Sequence, residues 1–217
     1  SKTMANSSLD IEGTLQMLIA VAEAIIAAEP ELTDADRNLG DGDHGLGMQR
    51  GMTAVIEKLS AGGIESIDKA FSSTGMAMMS SMGGASGAVF GTFFRNGGKA
   101  LAGQESFDAG AAADFIAAGT EGVMSRGGAK PGDKTMVDAL EPAAQKAKEL
   151  AEKPLSEALQ GIAEAAAAGR DASKDMVATM GRAKTLGEKS VGHPDAGACS
   201  VAIIFRAMAD FVDSRGE

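Results

Sequence analysis

Near the start of the chain apolar residues return at every third or fourth place, at Ile11, Leu15, Leu18, Ala22, Ile25 and Ile26. That spacing gathers them on one face of a 3.6-residue period, and it predicts an amphipathic helix from Leu9 to Ala28. The same spacing recurs at Met48, Met52, Val55, Ile56 and Leu59, and again at Val201, Ile204, Phe205, Met208, Phe211 and Val212. Between these lie further Ala-, Met- and Leu-rich segments at about 66–82, 87–102, 107–125, 135–152 and 155–180. No segment alternates with a period of two, and β-branched and aromatic residues are sparse, with neither Trp nor Tyr present. The pattern predicts an all-α bundle of about eight helices. A chain of 217 residues buries a real core and falls near the upper end of one compact domain, so residues 1–217 are expected to form a single helical domain. Pro142 is expected to begin or kink a helix rather than to divide domains.

Charge narrows the possible partners. With 30 Asp and Glu against 20 Lys and Arg, the formal charge of -10 repels nucleic acid and anionic membranes over most of the surface. A small anion is still compatible with that charge, because backbone N–H groups and cations act locally. The single cysteine, Cys199, makes no internal disulfide, and its neighbours Ala198, Val201 and Ile203 predict a buried core thiol in a reducing, cytoplasmic setting. Ser1 to Ser8 holds no apolar run of the kind an export signal needs, and the run Met17 to Ala28 is interrupted by Glu23, so neither export nor membrane insertion is expected.

The 29 glycines concentrate in four breaks between the predicted helices, at Gly40–Gly47, Gly83–Gly91, Gly127–Gly132 and Gly187–Gly197. Helix C-caps and turns account for glycine, but not for the chemistry beside it. In the stretch Asp34 to Gly45, several carboxylates crowd a loop with few apolar residues, and their repulsion calls for a cation. Across Gly42, Asp41 and Asp43 project to the same side if the chain is extended, while Asp36 approaches from the preceding turn. Three converging carboxylates without Cys partners favour a hard cation, magnesium or calcium, over zinc. A calcium-binding EF-hand loop is excluded, because Leu39 stands at its obligatory Gly and Gly45 at its bidentate Glu.

The segment Met82-Gly-Gly-Ala-Ser86-Gly87 places small residues before an apolar helix, where free N–H groups and the positive dipole end receive phosphate, so Gly87 is expected to stay small for that purpose. A serine-hydrolase elbow fails there, since Ala88 occupies the second Gly position and no strand precedes it. Gly132-Asp133-Lys134-Thr135 is no Walker A loop either, because Asp133 separates the Gly from the Lys. The polar stretch Gly181 to Ala198, with Arg182, Lys184 and Lys189, reads as a lid or clamp leading into the last helix.

Together Gly40-Asp-Gly-Asp-His-Gly45, Met82 to Gly87, Gly132 to Met136, and Gly181-Arg182 through Asp195-Ala-Gly197 resemble the nucleotide-binding L subunit of the dihydroxyacetone kinase family. The resemblance implies an antiparallel, barrel-like helical domain with ADP or ATP at one end. It further implies that Asp36, Asp41 and Asp43 are the catalytic carboxylates, holding two magnesium ions. His44, Gly45, Leu46 and Gly47 would line the nucleotide, Ala85 and Ser86 would contact phosphate, and Gly127 and Met136 would border adenine. Arg182 with Asp195, Ala196 and Gly197 would close over it. Gly47 stands where the family usually has Asn, and Ala196 where it often has Pro, departures that could accompany another keto-sugar acceptor such as a tetrulose. The implied partners are a K subunit carrying the keto sugar and, in one branch of the family, a phosphotransferase-system protein that recharges bound ADP. Three readings compete: the nucleotide domain of a fatty acid kinase, which normally carries Thr at the His44 position, a nucleotide-dependent regulatory protein, and a metal-dependent hydrolase.

Overall fold

The computed structural model describes residues 7–215, so most of the N-terminal stretch Ser1 to Ser8 lies outside the described residues. Nine α-helices are present among them: α1 (Ile11–Ala27), α2 (Glu29–Arg37), α3 (His44–Ser60), α4 (Ile67–Met82), α5 (Gly84–Lys99), α6 (Ala109–Gly127), α7 (Val137–Glu149), α8 (Leu155–Ala172) and α9 (Ala196–Ser214). The all-α expectation holds. The only strands described are β1 (Ser8–Leu9) and β2 (Phe107–Asp108), paired antiparallel with Ser8 opposite Asp108 and Leu9 opposite Phe107.

Local chemistry sets where these helices begin. Asp10 and Asp108 accept the N–H of Gly13 and Ala111, each at 2.8 Å, and so cap α1 and α6 directly beside the strand pair. Eight helices form a closed circuit of neighbours: α1 packs on α3, each helix from α3 to α9 on the next, and α9 returns to α1. Phenylalanines fill the interior, with ring centroids 4.5 Å apart for Phe71 and Phe115 and 5.0 Å for Phe93 and Phe115. Close approach there requires glycine inside helices as well as between them. A Cβ on Gly97 would lie 2.4 Å from the Phe115 ring, so the glycines are less confined to the breaks than the sequence suggests.

Two boundaries differ from the expected ones. The stretch read as an acidic loop from Asp34 begins later, because Asp34 and Asp36 belong to α2, a short helix started by Glu29-Pro30-Glu31 that buries only Leu32. At the other end, the segment expected to be helical over 155–180 stops at Ala172. Short 3-10 turns follow at Ser173–Asp175 and Arg182–Ser190, the second broken at Gly187 (φ 55°). Of the apolar residues beyond Ala172, Met180 lines the cavity described below and Val177 is exposed. Pro142 sits inside α7, a turn beyond its start. Among the described residues no single helix is long and apolar enough to cross a membrane; α1 and α2 pass together only across a 55° bend.

Candidate functional site

The carboxylates converge because two helix ends meet. Asp36 closes α2 and Asp43 opens α3, while Gly42 (φ 79°) turns the chain between them in a conformation that side chains disfavour. Asp36 accepts the backbone N–H of His44 at 3.1 Å, which ties the end of one helix to the start of the next. Gly40 leaves room for this, since a Cβ there would stand 2.8 Å from the Asp36 carboxylate. Ligand oxygens of Asp36, Asp41 and Asp43 all lie within 4.8 Å of one another, with Asp41 and Asp43 exposed. Three oxygen donors open to solvent fit a magnesium ion that keeps water and shares phosphate ligands.

Beside the trio is a cavity of about 390 Å³. Four helices begin at its wall: α3 with His44, α5 with Ala85 and Ser86, α7 with Met136 and Val137, and α9 with Ala196 and Gly197. All four bring the positive end of a helix dipole to one place, which favours an anion. The N–H groups of His44, Val137 and Ala198 are already taken by Asp36, Thr135 and Asp195, so the freest donors are those at the start of α5. At α5 the N-cap is Gly83 (φ 70°), with no side chain competing for these donors. Val89, Phe90, Val123 and Met180 give the cavity an apolar surface suited to a flat ring.

His44 is buried, and its Nε2 pairs with Ser200 Oγ at 2.8 Å while Nδ1 faces Ser86 Oγ at 3.4 Å. Burial lowers its pKa, with Asp36 opposing, so the ring is held toward its neutral form. Across the cavity, Asp195 accepts the N–H of Ala198 at 2.9 Å as the cap of α9, and burial pushes its carboxyl up to about 6. Asp133 shifts the other way, because it accepts the Lys130 N–H at 2.9 Å and the Thr179 hydroxyl at 2.9 Å. Arg182 pairs with Asp41, joining the lid segment to the acidic corner. Cys199 lies in the core, its thiol raised to about 11 by desolvation.

Of the expected nucleotide contacts, His44, Ala85, Ser86, Gly127, Met136, Arg182, Asp195, Ala196 and Gly197 line this cavity together with the three aspartates. Gly45, Leu46 and Gly47 are not among its lining residues. Gly45 faces α2 instead: a Cβ there would lie 2.3 Å from Thr33 Oγ1 and 2.6 Å from the Glu29 carbonyl oxygen. Leu46 is exposed, one of the few large apolar side chains in that state. Gly87 likewise belongs to packing, its Cβ position being 3.0 Å from Met82 Cβ. Lys134, Ser200, Phe90, Val123 and Met180 were not picked out from the sequence. Only Lys134 carried a signal, through the motif Gly132 to Met136.

Comparison with known proteins gives the family. Residues 38–210 match the DAK2 domain family. The chain is 42% identical over 191 residues to the ADP-binding subunit DhaL of the PEP-dependent dihydroxyacetone kinase of Escherichia coli, covering 85% of this chain and 90% of that protein. It is 37% identical to the corresponding subunit of kinase 1 of Listeria innocua, covering 92% and 96%. An L-erythrulose kinase of Pectobacterium atrosepticum is also 37% identical, but the match covers 91% of this chain and only 34% of that one. Among solved structures, the dihydroxyacetone kinase of C. freundii in complex with AMP-PNP and Mg2+ superimposes with a TM-score of 0.69 at 27% identity, covering 91% of this chain and 33% of that one. By sequence and fold the chain belongs to the DAK2 domain family, and within it to the type of the ADP-binding subunit of dihydroxyacetone kinases.

Proposed function

We propose that residues 1–217 are a nucleotide-binding domain that holds ADP or ATP with two magnesium ions and passes a phosphoryl group to a small keto sugar presented by a separate K subunit. The observation that carries this reading is the carboxylate trio beside a cavity onto which four helix N-termini open. Val89, Phe90, Val123 and Met180 would hold the adenine, with Gly127 and Met136 bordering it. The N–H groups of Ala85 and Ser86 would receive the phosphates. Asp36, Asp41 and Asp43 hold the cations, which would neutralise phosphate charge during transfer. Asp195, Ala196, Gly197 and Arg182 close the remaining side. Transfer of this kind demands chiefly position and charge neutralisation, and these residues supply both.

The relatives matched along most of their own length are ADP-binding subunits of PEP-dependent kinases. That, with the PTS-dependent subunit of Lactococcus lactis, supports a nucleotide that stays bound and is recharged by a phosphotransferase-system protein. The erythrulose kinase relative supports a second acceptor, a tetrulose.

Two measurements test the reading. Asp41→Asn should weaken ADP binding at least tenfold and blunt its magnesium requirement, as read by calorimetric titration; parent-like binding would remove the metal assignment. The purified chain should not phosphorylate dihydroxyacetone at a useful rate until its K subunit is added, because a bound nucleotide without an oriented acceptor lacks the proximity that lowers the barrier. Robust phosphorylation, or steady release of inorganic phosphate, by the chain alone would refute the half-kinase assignment.

A further inference from the structure

We infer that Lys134 is a positioning residue: its buried ammonium clasps both ends of the segment 173–195 and so holds Arg182 at the acidic corner of the cavity. The inference deepens the nucleotide-binding reading above and rests on it for its functional consequence. The segment leaves α8 at Ser173 and re-enters the circuit before α9, with Arg182 on its outer part. Lys134 Nζ donates to the carbonyl oxygens of Ser173 and His193, one at each end. Beside those bonds the Asp195 N–H donates to Ser173 Oγ at 3.0 Å, and the Gly192 N–H to the Lys174 carbonyl at 2.6 Å. The two ends are therefore drawn to one point, and Lys134 is that point.

The outer part is held more sparsely. Thr179 bonds to Asp133, the Ala178 N–H donates to Ser190 Oγ at 2.8 Å, and Arg182 reaches Asp41 while remaining largely exposed. Lys134 also lines the cavity, so one residue joins the nucleotide wall to the base of the lid.

The backbone shows that this placement is imposed. Lys134 is only 3% exposed, and with φ 63° it is the one residue other than glycine with positive φ among those described. A lysine enters that conformation reluctantly. The turn is forced by its neighbours: Asp138 accepts the N–H of Gly132 at 2.7 Å and of Thr135 at 2.9 Å, and Asp133 accepts that of Lys130. No carboxylate pairs with Lys134 at ion-pair distance among the described residues. A buried ammonium satisfied by two carbonyl oxygens from distant chain positions fixes geometry where an apolar side chain would not.

The test compares the parent with Lys134→Met, which keeps the stem and removes the donors. With magnesium present, release of a fluorescent ADP analogue is followed by stopped flow, and trypsin cleavage after Arg182, Lys184 and Lys189 is followed without nucleotide. The expected result is release at least tenfold faster and markedly faster cleavage, both measured well below the unfolding midpoint. Parent-like release and cleavage would overturn the clasp. Should the parent itself fail to bind the ADP analogue, the nucleotide reading fails, and the ligand-free cleavage comparison still judges the clasp. Lys134→Gly relieves the backbone while removing the ammonium; retention of parent rates in that variant would also refute the role. If neither variant folds, 15N spectra of the parent decide: a slowly exchanging Lys134 ammonium supports the clasp, and a freely exchanging one rejects it.

Discussion

Replacing Gly45 by Ala should damage the cation site through a contact that no ligand makes. The new methyl would stand 2.3 Å from Thr33 Oγ1, 2.6 Å from the Glu29 carbonyl oxygen and 2.8 Å from the Thr33 nitrogen. The hydroxyl can rotate away, but the two backbone atoms cannot. Restoring ordinary contact at the carbonyl parts α2 from α3 by roughly 0.8 Å, a strain of about 1–3 kcal/mol for overpacking. Asp36 lies three residues beyond Thr33 on α2, and Asp43 two residues before Gly45 on α3, so the parting separates the two carboxylates directly. Magnesium demands oxygens at about 2.0–2.1 Å in near-octahedral array, whereas calcium accepts about 2.3–2.6 Å and more irregular shells. Gly45→Ala should therefore lose at least about tenfold in affinity for ADP with magnesium, about 1.4 kcal/mol, and distinctly less with calcium. Calorimetric titration with each cation, beside circular dichroism and urea unfolding, makes the measurement. A variant that binds magnesium and ADP like the parent would show that the helix crossing does not govern the trio. Equal losses with both cations would show that the geometry of coordination is not what changed.

Asp195 predicts a pH effect on the ligand-free protein. Its carboxyl titrates near 6 when folded against 3.8 when unfolded, so its stabilising contribution is complete below about pH 4 and is lost as pH rises through about 6. Asp195→Asn, which keeps an acceptor for the Ala198 N–H, should remove that part of the pH dependence, on the order of 2 kcal/mol; a parent–variant difference constant from pH 4 to 7 in urea unfolding would contradict it. Gly87→Ala should cost about 1 kcal/mol of stability through its contact with Met82 while leaving ADP affinity within twofold, and selective loss of affinity would return Gly87 to the phosphate site. Cys199, with its thiol near 11 and little exposure, should react with a thiol reagent at neutral pH only about as fast as the native protein opens. A rapid reaction in native buffer would refute that placement.

The helical class was legible because burial on one face leaves a period that residues such as Met48, Met52, Val55 and Leu59 display without ambiguity. Helix α2 was not, since nine residues with only Leu32 buried generate no period, and its acidic side chains look like those of a loop. The helix expected over 155–180 ends at Ala172, because composition rich in Ala and Met does not mark where a helix gives way to short 3-10 turns. Charge crowding pointed to the acidic corner, but the extended chain expected across Gly42 is a turn (φ 79°), and Asp34, equally part of the crowd, pairs with Arg37 instead. The packing role of Gly45 is not legible, because a glycine that admits a phosphate and one that admits a neighbouring helix are identical in sequence; only the crossing of α2 and α3 separates them. The apolar wall of Phe90, Val123 and Met180 was hidden for the same reason, being composed like any core.

The closed circuit of helices has a consequence for the order in which the molecule assembles. Most of its contacts join helices adjacent along the chain, such as α4 with α5 across a single glycine, and these close without long loops, which favours rapid early pairing. The contact of α9 with α1 spans nearly the whole chain and carries the greatest loop-closure cost, so it is the step expected last. The cavity takes its walls from residues 36–44, 85–90, 123–137 and 180–197, and it is therefore complete only after that step. A ligand that recognises the finished cavity cannot hasten folding, but it slows unfolding in proportion to its occupancy. Nucleotide would then act on this protein as a kinetic lock, lengthening the lifetime of the native state without helping to create it.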